Sequence, residues 1–271
     1  MEIFQNVFIG FVDILGYTNL ENKLESYGIE PSKAIITNMF TKLDTFIDGF
    51  RKKTNITWIR YSDGFVFYSQ DGAINNLFEM VKTNCMLLAL SLNASIPLRI
   101  AITQNTLNID NAEIGTTISG RGWGVLSEME KSLNWMGGFL YLPNYDGTHH
   151  ETVLSLIKTT YLVIKQNHVP DVKFNPPFKQ DLKFSTKNSW FLNWQKCFHQ
   201  DKPRVDSDIK NWWSQFPPHN TNNVSEEVKE KQKNSIEFAD YCRELHQASK
   251  LLYFSEIDKN IDIGIIDGTC I

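Results

Sequence analysis

At 271 residues, 42% hydrophobic and 21% charged with a formal net charge of -4, the chain has the composition of a soluble globular protein with room for one large domain, or for a domain and an extension. It has no basic excess with which to displace counterions, which excludes a nucleic-acid binder that works through bulk electrostatics. No apolar run approaches the roughly 20 residues that span a bilayer, and the N-terminus lacks a basic region followed by an apolar core, so no membrane partner and a cytoplasmic location are expected. Cys85, Cys197, Cys242 and Cys270 are widely spaced without a Cys-x-x-Cys pair, a pattern that predicts reduced thiols and no zinc site.

Val7 to Leu15 is a near-continuous apolar run of strand length, the pattern of a strand buried on both faces. Asp13 interrupts it near its end, where a charge is costly unless a cation or chemistry requires it. Gly16 supplies a turn, Thr18 or Asn19 is a candidate N-cap, and a helical segment follows through Ser26. Pro31-Ser32 opens a second helix to about Phe50, with Ala34, Ile35, Met39, Leu43, Phe46 and Ile47 on one stripe. Ile56–Tyr61 and Phe65–Tyr68 are β-rich runs joined through Ser62-Asp63-Gly64, a hairpin signal. On that ground alone Asp63 reads as a turn residue.

Leu77 to Leu92 is a helix with Leu77, Met80, Val81, Leu87, Leu88 and Leu92 inward. Pro97 to Thr103 is another strand; Arg99 within it reads as a solvated edge charge in preference to a phosphate ligand. Residues 105–118 read as a loop or short strand. Gly120-Arg121-Gly122-Trp123-Gly124 then leads into a helix from about Val125 to Asn134, with glycines placed to hold an anion or simply to turn the chain. Phe139–Leu142 is a strand and Thr148 to Gln166 a helix.

This order, β-α-α-β-β-α-β-α-β-α, predicts an α/β (α+β) fold close to a ferredoxin-like sandwich over residues 1–166. Residues 167–271 form a mainly helical C-terminal extension. In it Trp190, Trp194, Trp212 and Trp213 act as packing anchors, Val224 to Phe254 is a charged amphipathic helix, and residues 258–271 are a tail that could add a final strand. The solvated face at Glu226-Glu-Val-Lys-Glu-Lys-Gln-Lys offers i,i+4 pairs. The six histidines lack metal or triad spacing, and no Gly-x-Ser-x-Gly, Walker loop or Gly-x-Gly-x-x-Gly is present. What remains is Asp13 with Asp63: two carboxylates, one from a strand end and one from a hairpin, can hold Mg²⁺ or Mn²⁺, whose shell phosphate oxygens and water complete. A nucleoside triphosphate is the partner that arrangement predicts.

Phe11-x-Asp13-Ile14-x-Gly16-Tyr17-Thr18 resembles the Phe-x-Asp-Ile-x-Gly-Phe-Thr signature of class III nucleotidyl cyclases. Ser62-Asp63 sits where that family has a Gly-Asp hairpin, and Leu98-Arg-Ile-Ala-Ile102 resembles its Leu-Arg-x-Gly-Ile strand. The similarity covers roughly residues 3–145. It implies a head-to-tail homodimer with interface active sites and two metal ions, Mg²⁺ or Mn²⁺, in each. Asp13 and Asp63 would bind both ions, the carbonyl of Ile14 one of them, and backbone N–H groups from Leu15, Gly16, Tyr17 and Thr18 the triphosphate. The family's reaction is attack of the ribose 3′-hydroxyl on the α-phosphate, giving a 3′,5′-cyclic nucleotide and pyrophosphate.

The departures bear on the base. Purine-specific relatives carry a lysine where Ile59 stands and an aspartate or smaller residue where Thr117 stands; an isoleucine cannot donate to a purine ring. Strand alternation sets Ile59, Tyr61 and Asp63 on one face, so Tyr61 either narrows the base site or is an ordinary cross-strand aromatic. The Tyr-Ser-Asp hairpin and the helix at Ser127-Glu128 resemble the bacterial Pycsar cyclases, which implies cyclic UMP or cyclic CMP made in antiphage defence and read by a separate effector. UTP and CTP stay undistinguished, and an ATP or GTP cyclase or a catalytically silent cyclase-homology module are the rival readings. The family's late-helix asparagine and arginine fall on Gly124 and Glu128, so the missing charge must come from Arg121, the first choice, or from Arg60 or Arg99.

Overall fold

The computed structural model describes residues 1–24, 28–112, 115–143, 162–164, 188–197, 202–212 and 225–257. Its elements are β1 (Glu2–Ile14), α1 (Tyr17–Leu24), α2 (Ile29–Arg51), β2 (Ile56–Tyr61), β3 (Gly64–Ser69), α3 (Ile74–Asn93), β4 (Leu98–Ala112), β5 (Gly115–Ser119), α4 (Arg121–Ser132), β6 (Gly137–Tyr141), β7 (Val163–Ile164), β8 (Ser189–Leu192), a 3-10 turn (Trp194–Cys197), α5 (Lys202–Lys210) and α6 (Glu226–Ile257). The strands form one sheet in the order β2-β3-β1-β4-β6-β8-β7, with β5 hairpinned onto β4. Among the described residues only β4 and β6 pair in parallel; the other pairings are antiparallel. The predicted mixed α/β fold is the observed one.

The apolar run at the start becomes the central strand because it can be covered twice. Every residue from Val7 to Leu15 is buried. On the face of Val12, α2 sets Phe40 against Phe65 with ring centroids 6.5 Å apart, and α3 packs beside α2. On the face of Phe11, α4 sets Trp123 edge-on to Phe11 at 5.3 Å. The predicted inward residues of α3, from Leu77 to Leu92, are all buried. Among the described residues no helix is long and apolar enough to cross a membrane.

One irregularity phases β1. Between Phe4 and Val7 the pairing with β4 shifts by a residue, and Asn6 adopts a positive φ of 53°, the mark of a bulge. Before the bulge Glu2 faces Ile109; after it Asp13 faces Arg99.

Several boundaries differ from the sequence reading. Thr18 and Asn19 lie inside α1, not at its cap, because Gly16, at φ 87°, already makes the turn and the helix opens on Tyr17. Ala34 is exposed, off the α2 stripe, while Phe40 takes a buried place on it. Of the loop or short strand expected over 105–118, the described residues are strand: β4 runs on to Ala112 and β5 pairs back along it from Gly115, with Leu107, Ile109 and Ile118 buried. Gly122 and Gly124 are helical, so they form no anion-holding turn ahead of the helix. A Cβ on Gly122 would stand 2.1 Å from the Ile9 side chain and 2.9 Å from the Thr106 carbonyl oxygen; glycine lets α4 lie directly on the sheet. Of the helix expected over 148–166, the described residues 162–164 contain strand β7, buried beside β8; the rest lies outside the described residues, as do Trp213, Ser26, Cys270 and the 258–271 tail. Cys85, Cys197 and Cys242 are free thiols.

The extension joins the same body. β8 pairs with β6, Trp190, Trp194 and Trp212 are buried as anchors, and α6 grips the segment after α4. Ser235 accepts from the Met136 N–H at 2.8 Å and donates to the Lys231 carbonyl at 2.7 Å. Asn234 donates to the Asn134 carbonyl at 3.0 Å. Lys231, on the stretch read as a solvated face, is 6% exposed and keeps its charge paired with Glu227 at 2.6 Å.

Two stability outcomes follow from these contacts. Ser235→Ala leaves the buried Met136 N–H without its acceptor and should lower unfolding free energy by about 1–2 kcal/mol in a denaturant titration. Ser62, first of the two residues linking β2 to β3, has φ 52°, a conformation that strains a side chain. Ser62→Gly should therefore raise stability by about 0.5–1 kcal/mol and shift the melting curve upward.

Candidate functional site

The site is fixed by strand register. Asp13 pairs with Gly64 of β3 on one side and with Arg99 of β4 on the other. Asp63 precedes Gly64 in the hairpin turn, so the two aspartates are brought to one end of two neighbouring strands. Gly64 is required for that approach: a Cβ there would stand 2.0 Å from the Val12 carbonyl oxygen. Asp13 is 8% exposed and Asp63 half-buried.

Burying Asp13 needs compensation, and Arg99 supplies it. Its Nη2 and Nε donate to Asp13 Oδ2 at 2.5 and 3.2 Å. Nη2 also pairs with Glu130 of α4, and Nη1 reaches the Leu133 carbonyl at 3.4 Å. The reading of Arg99 as a solvated edge charge is thus corrected: β4 is an inner strand, and the guanidinium sits between two carboxylates, its side chain 13% exposed. Burial raises the Glu130 carboxyl to about 7; Arg99 opposes the rise, while the nearby charge of Asp13 and a hydrogen bond to it add to it.

The residues around this pair sort by position. Ile14 and Leu15 follow Asp13 and are buried. The Leu15 N–H donates to the Pro97 carbonyl at 2.9 Å, so it is engaged within the fold. Gly16, Tyr17 and Thr18 form the turn and first helical positions of α1, where the leading N–H groups have no partner inside the helix. Burial, a hydrogen bond to Glu21 and the carboxylates of Glu21 and Asp63 hold the Tyr17 phenol well above its usual range.

Ile59 and Tyr61 lie on the face of Asp13, since Tyr61 pairs with Gly64 and Ile59 with Val66. Tyr61 packs edge-on against Trp123 with centroids 5.0 Å apart. Phe11, Tyr61 and Trp123 therefore make one aromatic wall beside the aspartates. Arg60 faces the other way, its guanidinium 3.8 Å from the Phe40 ring centroid and 3.9 Å from Asp44.

Two candidates are not brought to Asp13 within one chain. Thr117 pairs with Asp110, eleven residues along β4 from Arg99 and so about 35 Å away along the strand. Arg121 is exposed in the first turn of α4, roughly 13 Å along the helix from Glu130.

Glu130 and Trp123 were not singled out from the sequence. The signal for Glu130 was present: it falls on the helical stripe of Leu126, Met129 and Leu133, all buried, where a carboxylate calls for a cation. The donor set of Asp13 and Asp63 is hard oxygen and few in number, which fits Mg²⁺ or Mn²⁺. Among the described residues no cluster of three or more His, Cys, Asp or Glu could hold a metal ion.

No family model matches the sequence, and no curated protein does. Among solved structures, the chain is similar to the adenylyl cyclase CyaB from P. aeruginosa, with 18% identity over 71% of this chain and 96% of that chain and a TM-score of 0.46. It is also similar to the monomeric guanylyl cyclase domain of the RhoGC fusion protein from the aquatic fungus Blastocladiella emersonii, with 10% identity, 71% and 96% coverage and a TM-score of 0.45. A third likeness is to adenylate cyclases from Trypanosoma brucei in their monomeric state, with 13% identity, 69% and 89% coverage and a TM-score of 0.43. At these values the likenesses assign no chemistry to this chain.

Proposed function

We propose that the chain is a metal-dependent pyrimidine nucleotide cyclase, converting UTP or CTP to the 3′,5′-cyclic nucleotide and pyrophosphate. The observation that carries this reading is the β1–β3 register, which sets Asp13 opposite Gly64 and beside the Asp63 turn. A buried strand end and a tight hairpin are rigid supports, as positioned catalysis requires.

Mg²⁺ or Mn²⁺, when held by Asp13, Asp63 and the Ile14 carbonyl, would lower the barrier to deprotonating the ribose 3′-hydroxyl and stabilise charge on the α-phosphate. The chain's own groups do the rest. The leading N–H groups of α1, at Tyr17 and Thr18, receive the triphosphate. Phe11, Tyr61 and Trp123 wall the site on its apolar side. Ile59 offers no donor to a purine, and Tyr61, pinned by Trp123, narrows the space towards a pyrimidine.

A homodimer completes this reading. Thr117 and Arg121 stand too far from Asp13 of their own chain to act there, so a second copy would present them. The product would serve as a second messenger in antiphage defence, read by a separate effector. One observation favours a catalytically silent nucleotide-binding module instead: Asp13 Oδ2 already engages Arg99.

Incubation of the purified chain with Mn²⁺ and each of the four ribonucleoside triphosphates, with products resolved by chromatography, is expected to yield cyclic UMP or cyclic CMP. Cyclic AMP or cyclic GMP as the main product would overturn the pyrimidine assignment, and no product from any substrate would leave the silent module. Asp13→Ala and Asp63→Ala should each reduce kcat by about 100-fold or more while size-exclusion profiles stay unchanged. Retained turnover in either variant would remove the metal assignment.

A further inference from the structure

If Asp13 is to serve two cations, each of its two carboxylate oxygens is a donor they could use, yet both Arg99 donors converge on one of them, Oδ2. We propose that Arg99 is a positioning residue that gates Asp13: its guanidinium holds the place beside Oδ2 that a second cation would take, so the resting site accepts one divalent cation.

Three features keep the guanidinium there. Glu130 pairs with the same Nη2 that binds Asp13. The Leu133 carbonyl accepts from Nη1, and its segment is held by Ser235 and Asn234 of α6. Side-chain exposures of 13% for Arg99, 12% for Asp13 and 6% for Glu130 keep water from screening the contacts. A second dication approaching Oδ2 would meet a fixed positive charge at hydrogen-bond distance from that oxygen, so it binds only once Arg99 withdraws. The inference rests on the metal reading of Asp13 and Asp63, and it concerns how many cations that pair admits before substrate arrives.

The test counts Mn²⁺ bound per chain, by electron paramagnetic resonance of free Mn²⁺ in a titration of the full-length protein without nucleotide. Wild type should bind one Mn²⁺. The charge-balanced variant Arg99→Gln/Glu130→Gln, which removes one positive and one negative group, should bind two, or bind the first at least tenfold more tightly. Two ions on wild type, or a double variant that titrates like wild type with a cooperative melting curve, would overturn the gate.

If the double variant does not melt cooperatively, Arg99→Lys gives the same reading. It keeps the charge but has one nitrogen with which to engage Asp13, Glu130 and Leu133, so it should bind Mn²⁺ more tightly than wild type; an unchanged titration would overturn the gate. Asp13→Asn separates the two ideas. Loss of Mn²⁺ in that variant supports the metal reading whatever Arg99 does, whereas unchanged binding would overturn the reading and the gate together.

Discussion

A guanidinium enclosed by two carboxylates joins the central strands to the helix above them. Asp13 belongs to β1, Arg99 to β4 and Glu130 to α4, so the cluster ties three elements at one point. Such a cluster is poor evidence for stability, because desolvating three charges offsets most of their attraction. It is better evidence for position: removing Arg99 leaves two buried carboxylates facing each other without a cation, which restricts the arrangements the local chain can adopt.

That constraint spreads outward. Arg99 also bonds the Leu133 carbonyl, and the segment after it is held by buried polar side chains of α6. A helix nearly a hundred residues further along the sequence thus shares a hydrogen-bonded path with the carboxylate at the end of β1. The aromatic wall of Phe11, Tyr61 and Trp123 approaches from the other side, its edge-to-face contacts adding directionality to apolar packing. The polar and apolar parts of the site are therefore both anchored on α4.

Much of this was legible in the residues. The doubly buried strand, the inward stripe of α3 and the hairpin through Ser62-Asp63 follow from periodicity and turn chemistry, which are local. Asp13 stood out because a carboxylate inside an apolar run has no local explanation. The partner of Arg99 was not legible, since it depends on which residue of β1 lies across from it, and register is a non-local property. Gly122 and Gly124 read as a turn because glycine is a poor helix former; the close approach of α4 to Ile9 overrides that propensity. The strand through Leu107 and Ile109 does alternate in burial, but its asparagines and aspartate mimic a loop composition.

The bulge at Asn6 sets how the two ends of β1 are phased. Glu2 faces Ile109, and an uninterrupted ladder from that start would set Asp13 against Leu98, a residue whose side chain belongs to the opposite face; the extra residue advances the pairing so that Asp13 meets Arg99 instead. The amino-terminal half of the strand and its acidic end are thus aligned with β4 independently, with one left-handed asparagine absorbing the mismatch. Insertions and deletions near residue 6 are consequently not neutral adjustments at a strand start. Each would force a choice between the amino-terminal ladder and the ion cluster, so the spacing of this segment is as constrained as the charged side chains it aligns.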